Sequence, residues 1–314
     1  MPVAEPTQDS FPNPLVAYIA ATRPPFLLAA VVPILLGLAW TAWSGYAIDP
    51  VKAILTLIAA VLLNAGINVL NDYYDDLNGT DALNGERIFP FTGGSRFIQN
   101  GVLTRRQTLI YGVGLMLVVV LIGAWLIHVT GPTLLWLGLF GMLLGWGYSA
   151  PPLRFNGRGL GELAVLVGFS LLPLGTALVQ TGELNWPLLW AALPVGLLTA
   201  NLLYINQFPD RKADILAGKL HWVARLEPRT ARWGYVLIAA LAWGLFLALV
   251  ATGRLPLLAL IALPPAVLSF RAARILLAHA DQPARLAPAI PLTILAVLAH
   301  GALLSLALVI AVWF

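Results

Sequence analysis

The sequence predicts an all-α, polytopic membrane bundle of about nine transmembrane helices, and three observations predict it. The first is composition: of 314 residues, 60% are hydrophobic and 10% are charged, against roughly 25% charged in an ordinary soluble domain. Two soluble domains, which the length alone would suggest, could not cover their surfaces with so few charges. The second is that the apolar residues fall into nine runs, each near the ~20 residues that cross a bilayer core, with a mean hydropathy of +0.85 over the whole chain. The third is that the basic residues lie almost entirely on one side of those runs.

Taken in order, residues 1–14 are proline-rich, carry scattered polar groups and contain no Lys or Arg. They read as a flexible cytoplasmic tail, with 15–314 as a single transmembrane domain. No cleavable targeting segment is expected, because the first apolar run opens with Arg23-Pro24-Pro25 and lacks the basic region such a segment needs. The runs are approximately 24–44, 51–71, 109–130, 132–149, 160–180, 186–206, 233–252, 255–278 and 287–313. Most connections are short turns such as Thr130-Gly131-Pro132. The loops at about 72–107 and 207–232 are far longer, and long loops within a compact bundle are more often functional than accidental. With the N-terminus on one side, that side holds sixteen of the eighteen Lys and Arg, and only Lys52 and Arg254 lie opposite. The positive-inside rule then places the N-terminus and the even-numbered loops in the cytoplasm, in a multi-pass protein of the cell inner membrane. The basic pI of about 9.6 follows from that topology, so no nucleic-acid partner is expected. The absence of cysteine excludes thiolate metal sites and cysteine nucleophiles.

Both long loops are entered through the same polar spacing. Asn68-Val-Leu-Asn-Asp72-Tyr-Tyr-Asp-Asp76 and Asn206-Gln-Phe-Pro-Asp210-Arg-Lys-Ala-Asp214 both read N-x-x-x-D-x-x-x-D. Four-residue spacing puts Asn68, Asp72 and Asp76 on one helical stripe with Asp75 beside it, and does the same for Asn206, Asp210 and Asp214. Like charges so placed repel, and ionisable groups at membrane depth are costly and usually functional. A cation is therefore expected between the stripes. Asp and Asn offer only oxygen, which suits Mg²⁺: it takes one or two carboxylates and completes its octahedron with water and phosphate oxygens. Two facing stripes could thus hold a diphosphate leaving group through bridging metal. The competing reading is helix-end solvation, with Asp210 and Asp214 paired to Arg211 and Lys212.

At these residues the sequence resembles the UbiA superfamily of intramembrane aromatic prenyltransferases, which carries N-D-x-x-D after its second helix and D-x-x-x-D after its sixth. Here they are Asn71-Asp72-Tyr-Tyr-Asp75 and Asp210-Arg-Lys-Ala-Asp214. Asp76-Leu-Asn-Gly79-Thr-Asp81, Gly93-Gly-Ser-Arg96, Gln99-Asn-Gly101-Val-Leu-Thr104, Tyr148-Ser-Ala-Pro-Pro152, Gly159-Leu-Gly-Glu162 and Gly218-Lys219 are similar to the 1,4-dihydroxy-2-naphthoate polyprenyltransferase branch. The likeness runs from about Arg23 to Arg225. Two departures stand out: Gly79 occupies the place of a third aspartate found in many members, with Asp81 two residues on as in the naphthoate branch. Where that branch usually continues Arg-Thr-Leu after Gly-Lys, this chain has Leu220-His221-Trp222.

The resemblance implies transfer of a polyprenyl group from an allylic diphosphate to an aromatic acid, with Mg²⁺ as cofactor, the bilayer as surroundings and no obligate protein partner. The implied acceptor is 1,4-dihydroxy-2-naphthoate with decarboxylation, as in menaquinone biosynthesis; 4-hydroxybenzoate is the alternative acceptor. The catalytic candidates are Asp72, Asp75, Asp210, Asp214, Arg96 and Lys219, the four aspartates also as metal ligands. Asn68, Asn71, Asp76, Asp81, Arg87, Tyr148 and Asn206 are candidates for substrate binding.

Remaining features are weighed against plainer roles. Arg87, Arg96 and Lys219 could hold diphosphate oxygens or simply be inside-facing charges. Tyr73, Tyr74, Tyr148 and Tyr204 could stabilise a cation through their ring faces or pack at the interface. Asn64 and Asn201 could line the cavity or bond neighbouring helices. Gly141-Met-Leu-Leu-Gly145 reads as a close-packing face, and the glycines at 157, 159 and 161 follow no strand, which argues against a nucleotide fingerprint. The four histidines lack metal-ligand spacing, and His300 is expected to bond a neighbouring helix. A cation-coupled transporter is the alternative of a different class, but its carboxylates belong near the bilayer midplane.

Overall fold

The computed structural model describes residues 4–313. Nine long helices occupy the nine expected runs: α1 (Pro24–Trp43), α2 (Pro50–Leu77), α3 (Arg105–Thr130), α4 (Pro132–Ser149), α5 (Gly161–Thr181), α6 (Trp186–Leu216), α7 (Pro228–Ala251), α8 (Ala266–His279) and α9 (Ala289–Ala311). No strand occurs among the described residues. Eight segments are long and apolar enough to cross a membrane, with Leu257–His279 counted as one of them. The remaining helix, α4, is the glycine-rich one and has 18 residues.

Helix starts are written locally. Proline takes the first turn of α1, α2, α4, α6 and α7, where its missing N–H costs nothing. Asp49 accepts from the backbone N–H groups of Val51 and Lys52, Thr104 and Gln107 form a capping box, and Asn185 caps α6 through Leu188, each satisfying donors the helix itself leaves free. The eighth run is interrupted. A 3-10 turn (Leu257–Ala262) precedes α8, with Pro264-Pro265 between them. His300 on α9 meets the freed carbonyl of Ala262 through Nδ1 at 2.9 Å. The helix-bonding role expected of His300 is therefore the one it has.

Between helices in lipid, apolar contact alone gives no preference over lipid tails, so association depends on close packing. A Cβ at Gly37 on α1 would lie 2.6 Å from Pro173 O on α5, and one at Gly301 on α9 would lie 2.1 Å from Val32 on α1. At Gly112 on α3 it would meet Leu70 of α2 at 2.8 Å. Buried side chains of α1, α5, α6, α7 and α9, among them Leu36, Leu188, Phe246 and Leu304, fill one half of the bundle. The other half, bounded by α1 to α6, holds a partly open cavity of about 630 Å³.

Residues expected as a free tail lie against the loop between α2 and α3. Gln8 donates to Gly101 O at 2.7 Å and Asn100 to Pro6 O at 2.8 Å, while Glu5 pairs with Arg87 at 2.6 Å. Asn13 caps a short helix (Pro14–Ala21), whose Ala17 and Ala21 pack on Phe97 and Leu103 of that loop. Of the expected tail at 1–14, residues 1–3 lie outside the described residues.

Candidate active site

Helices α2 and α6 run well past the expected ends at 71 and 206, reaching Leu77 and Leu216. The motif aspartates therefore stand on the final helical turns rather than in the loops. Pro209 inside α6 removes one backbone donor but leaves the register intact. Both stripes keep their spacing and approach each other at one end of the cavity.

The stripe that faces the cavity on α2 differs from the expected one. Asn64, Asn68, Asn71 and Asp75 line it, as do Asn206, Asp210 and Asp214 on α6. Asp76 faces outward, where it accepts from Arg105 at 2.5 Å and from Gln99 at 3.2 Å, so its expected substrate contact is corrected. Steps of four, three and four residues return closely to one helical face, and the rotation of α2 about its own axis leaves Asp76 beyond the edge of that face. Asp72 is buried beside the cavity and accepts from Arg23 Nη2 at 2.5 Å and from the Ser95 N–H at 3.3 Å. Arg23 itself lines the cavity.

The two loops close over this end. Lys219 Nζ lies 3.1 Å from Asp75 Oδ2 and 3.6 Å from Asp214 Oδ1, tying α2 to α6. Burial disfavours its charged form, but the Asp214 and Asp75 carboxylates outweigh that and hold the Lys219 amine well above its ordinary range. Asn84 donates to Asp210 Oδ1 at 2.6 Å. Asp81 lines the cavity, and its Oδ2 is buried without a hydrogen-bond partner. Burial, then the Asp75 and Asp72 charges, push the Asp81 carboxyl well above the usual carboxylate range. Gly94, at φ +74°, passes so close that a Cβ there would sit 2.4 Å from Asp81 Oδ2, so this loop crossing requires glycine.

The remaining candidates separate by position. Asn71 donates to Ser149 Oγ at 2.9 Å and Asn68 to Thr22 O at 3.1 Å, while Asn206 Oδ1 is buried and unpartnered. Arg87 and Arg96 do not line the cavity. Arg87 pairs with Glu5 and Arg96 faces both Glu5 and the Asp81 carbonyl, so the loop arginines brace the loop from behind. Of the four tyrosines, Tyr148 lines the cavity; Tyr73 and Tyr74 stack edge to face on each other, and Tyr204 donates to Ala231 O at 2.7 Å. Arg211 donates to the Val223 and Leu226 carbonyls and Lys212 to Glu86, which removes the reading of Asp210 and Asp214 as partners of their neighbours. Gly145 packs against Ile67, but a Cβ at Gly141 would meet nothing. Gly141 instead widens the cavity it lines, correcting half of the close-packing expectation.

Four carboxyl groups (Asp75, Asp81, Asp210, Asp214) and two basic side chains (Arg23, Lys219) line the polar end, so that once ionised the carboxyls outnumber the basic groups and attract further positive charge. Among the described residues no three acidic or histidine side chains close on one point as a complete metal cage. The carboxyl and amide oxygens at the polar end are of the kind that suits Mg²⁺, which takes one or two carboxylates and leaves its other positions to water and phosphate. The orphaned oxygens of Asp81, Asp214 and Asn206 are the atoms such an ion would satisfy. The rest of the wall is apolar, including Leu63, Ile67, Leu137, Leu144, Leu172 and Val179.

A family model, the UbiA prenyltransferase family, matches residues 30–290. The chain belongs to the UbiA prenyltransferase family. It is thus an integral, multi-pass membrane enzyme, and the transporter alternative falls. Among UbiA relatives, the 1,4-dihydroxy-2-naphthoate octaprenyltransferase of Mycobacterium tuberculosis is 30% identical over 226 residues, 72% of this chain and 75% of that protein. That of Escherichia coli is 32% identical over 223 residues, 69% of this chain and 70% of that one. A UbiA homolog from Archaeoglobus fulgidus bound to GPP and Mg²⁺ shares the fold, with a TM-score of 0.59 at 15% identity over 92% of this chain and 99% of that one.

Three contributors to this UbiA site were not singled out by sequence. Arg23 counted only as a topological charge, although its position against the first span was a usable signal. Asn84 carried no local signal, because its contact with Asp210 crosses between segments far apart in the chain, and His221, seven residues from Asp214, was read only as a histidine without metal-ligand spacing.

Proposed function

We propose that the protein transfers a polyprenyl group from its diphosphate to 1,4-dihydroxy-2-naphthoate with loss of carbon dioxide. The observation that carries this is the convergence of the α2 and α6 aspartates at the polar end of an otherwise apolar cavity, in a chain related to naphthoate octaprenyltransferases. Asp75, Asp81, Asp210 and Asp214 would hold Mg²⁺, with Asp72 acting beside them by fixing Arg23. When bound, the ion supplies charge neutralisation on the departing diphosphate. Arg23 and Lys219 reach the same region and stabilise the remaining negative charge. The apolar walls keep water from the allylic carbon, and the Tyr148 ring can face the developing cation. The sixteen-to-two division of basic residues favours a cytoplasmic N-terminus and an aspartate end open to cytoplasmic substrates, in the cell inner membrane.

Hydroquinone oxygens on the naphthoate enrich the ring carbon that bears the carboxylate. Attack there by the allylic cation forms the C–C bond, and loss of carbon dioxide returns the bonding pair to the ring, so no strong enzymic base is needed. Carboxyl-labelled acceptors test this: labelled carbon dioxide is expected in step with a prenylated naphthoquinol. Exclusive formation of prenylated 4-hydroxybenzoate with the label retained would refute the acceptor.

The tail is expected to lie past Gly141. Gly141→Phe fills open space in the cavity wall, and the preference for short over long donors, measured as a ratio of kcat/KM, is expected to rise about tenfold or more. An unchanged ratio in a normally inserted variant would place the tail elsewhere.

A further inference from the structure

His221 stands at one of the departures noted in the sequence, and its ring is fixed at both nitrogens. Nδ1 accepts from the backbone N–H of Ala224 at 3.1 Å, capping the short helix Trp222–Arg225. A nitrogen that accepts carries no proton, so the proton sits on Nε2. Nε2 lies 2.8 Å from Asp214 Oδ2 and therefore donates to it. Turning the ring over would exchange both nitrogens for carbons and lose both bonds. The backbone holds the ring in place as well: Leu220 N–H donates to Gly157 O at 3.0 Å and Lys219 N–H to Asp214 O at 2.7 Å.

The consequence falls on Asp214. Its Oδ2 is occupied, whereas Oδ1 is buried with no hydrogen-bond partner and has only the Lys219 amine nearby, at 3.6 Å. We propose that His221 is a positioning residue that locks the Asp214 carboxylate, so that Oδ1 alone is presented to a divalent cation in the cavity. This rests on the metal reading under Proposed function. Hydrogen bonds from outer residues to ligating groups commonly set metal affinity, because they fix the ligand's orientation.

Two substitutions separate this role from the helix cap. His221→Asn keeps an acceptor at the position of Nδ1 but is too short to reach Asp214. His221→Gln places an N–H donor near the position of Nε2. Each purified protein, in detergent with saturating inorganic pyrophosphate, is titrated with Mn²⁺, and the free ion is read by its paramagnetic resonance signal. Mn²⁺ affinity is expected to fall about 10- to 100-fold in His221→Asn and to recover in His221→Gln to within about threefold of wild type. Metal-free unfolding temperature should be unchanged in His221→Asn.

Wild-type affinity in a folded His221→Asn protein overturns the proposal. So does a variant pair in which only unfolding temperature moves, since that is the signature of a cap. If His221→Asn fails to insert, His221→Gln decides by retaining or losing Mn²⁺. Absence of Mn²⁺ uptake by the wild type would refute the metal reading itself, and this inference with it.

Discussion

Replacing Asp75, Asp210 or Asp214 by alanine is expected to lower turnover at least ~100-fold, the scale on which a transition-state charge stabiliser acts. Asp72→Ala is expected to cost as much by a different route. Asp75 and Asp214 share Lys219, so losing either also leaves a buried ammonium with half its compensation. Asp210 is bonded by Asn84 across the loop, and Asp72 holds Arg23 in place. Folding should survive each change, because these carboxylates cap the polar end of the cavity and do not belong to the packed half of the bundle. Asp76→Ala provides the contrast. Asp76 lies off the cavity wall and pairs with Arg105, so its loss removes no carboxylate from the site and turnover should fall less than about tenfold, well short of the loss of a transition-state charge stabiliser. Membrane insertion and single-turnover prenyl transfer measure both quantities. If any two of the four aspartate variants insert normally and keep near-native turnover, the two-cluster site is wrong.

Removal of divalent metal is expected to abolish activity, with Mg²⁺ or Mn²⁺ restoring it and Ca²⁺ restoring little. Lining the polar end are four carboxylates against Arg23 and Lys219, and a diphosphate brought there adds negative charge that two cations cannot balance. Mg²⁺ tolerates a site with few protein ligands because it retains waters and takes phosphate oxygens. Ca²⁺ seeks six to eight oxygens at longer distances and would seat the diphosphate differently. Turnover is measured after chelation and again after each ion is returned. Full activity in metal-free buffer would contradict the bridging role and leave Arg23 and Lys219 as the groups that hold the diphosphate.

How far the site could be read from sequence varies residue by residue. Asn206, Asp210 and Asp214 share one stripe by their spacing once α6 continues past Pro209, and the structure turns that stripe to the cavity. On α2 the same spacing pointed to Asn68, Asp72 and Asp76 with Asp75 beside them, and the structure turns Asn68, Asn71 and Asp75 inward while Asp72 and Asp76 lie off the cavity wall. Lys219, expected only near the aspartate motifs, bridges Asp75 and Asp214, whereas Arg96 is drawn behind the loop by Glu5 and the Asp81 carbonyl. Glu5 lies in a segment whose composition suggested only a tail, and nothing local reveals a partner some ninety residues away.

The sequence by itself determined that the chain spans a membrane about nine times, which ends carry the basic charge, and that two oxygen-rich stripes terminate the second and sixth helices. These are properties of composition and of spacing along one helix, and they do not depend on any neighbour. Only the tertiary structure decided which edge of α2 faces the substrate cavity. Periodicity gives the angles between residues on one helix but not the rotation of that helix about its own axis. Here that rotation is set by Val69 and Leu70 closing on Gly112 of α3 and by Ile67 closing on Gly145 of α4. With those contacts made, Asn71 and Asp75 turn into the cavity and Asp76 turns out toward Arg105.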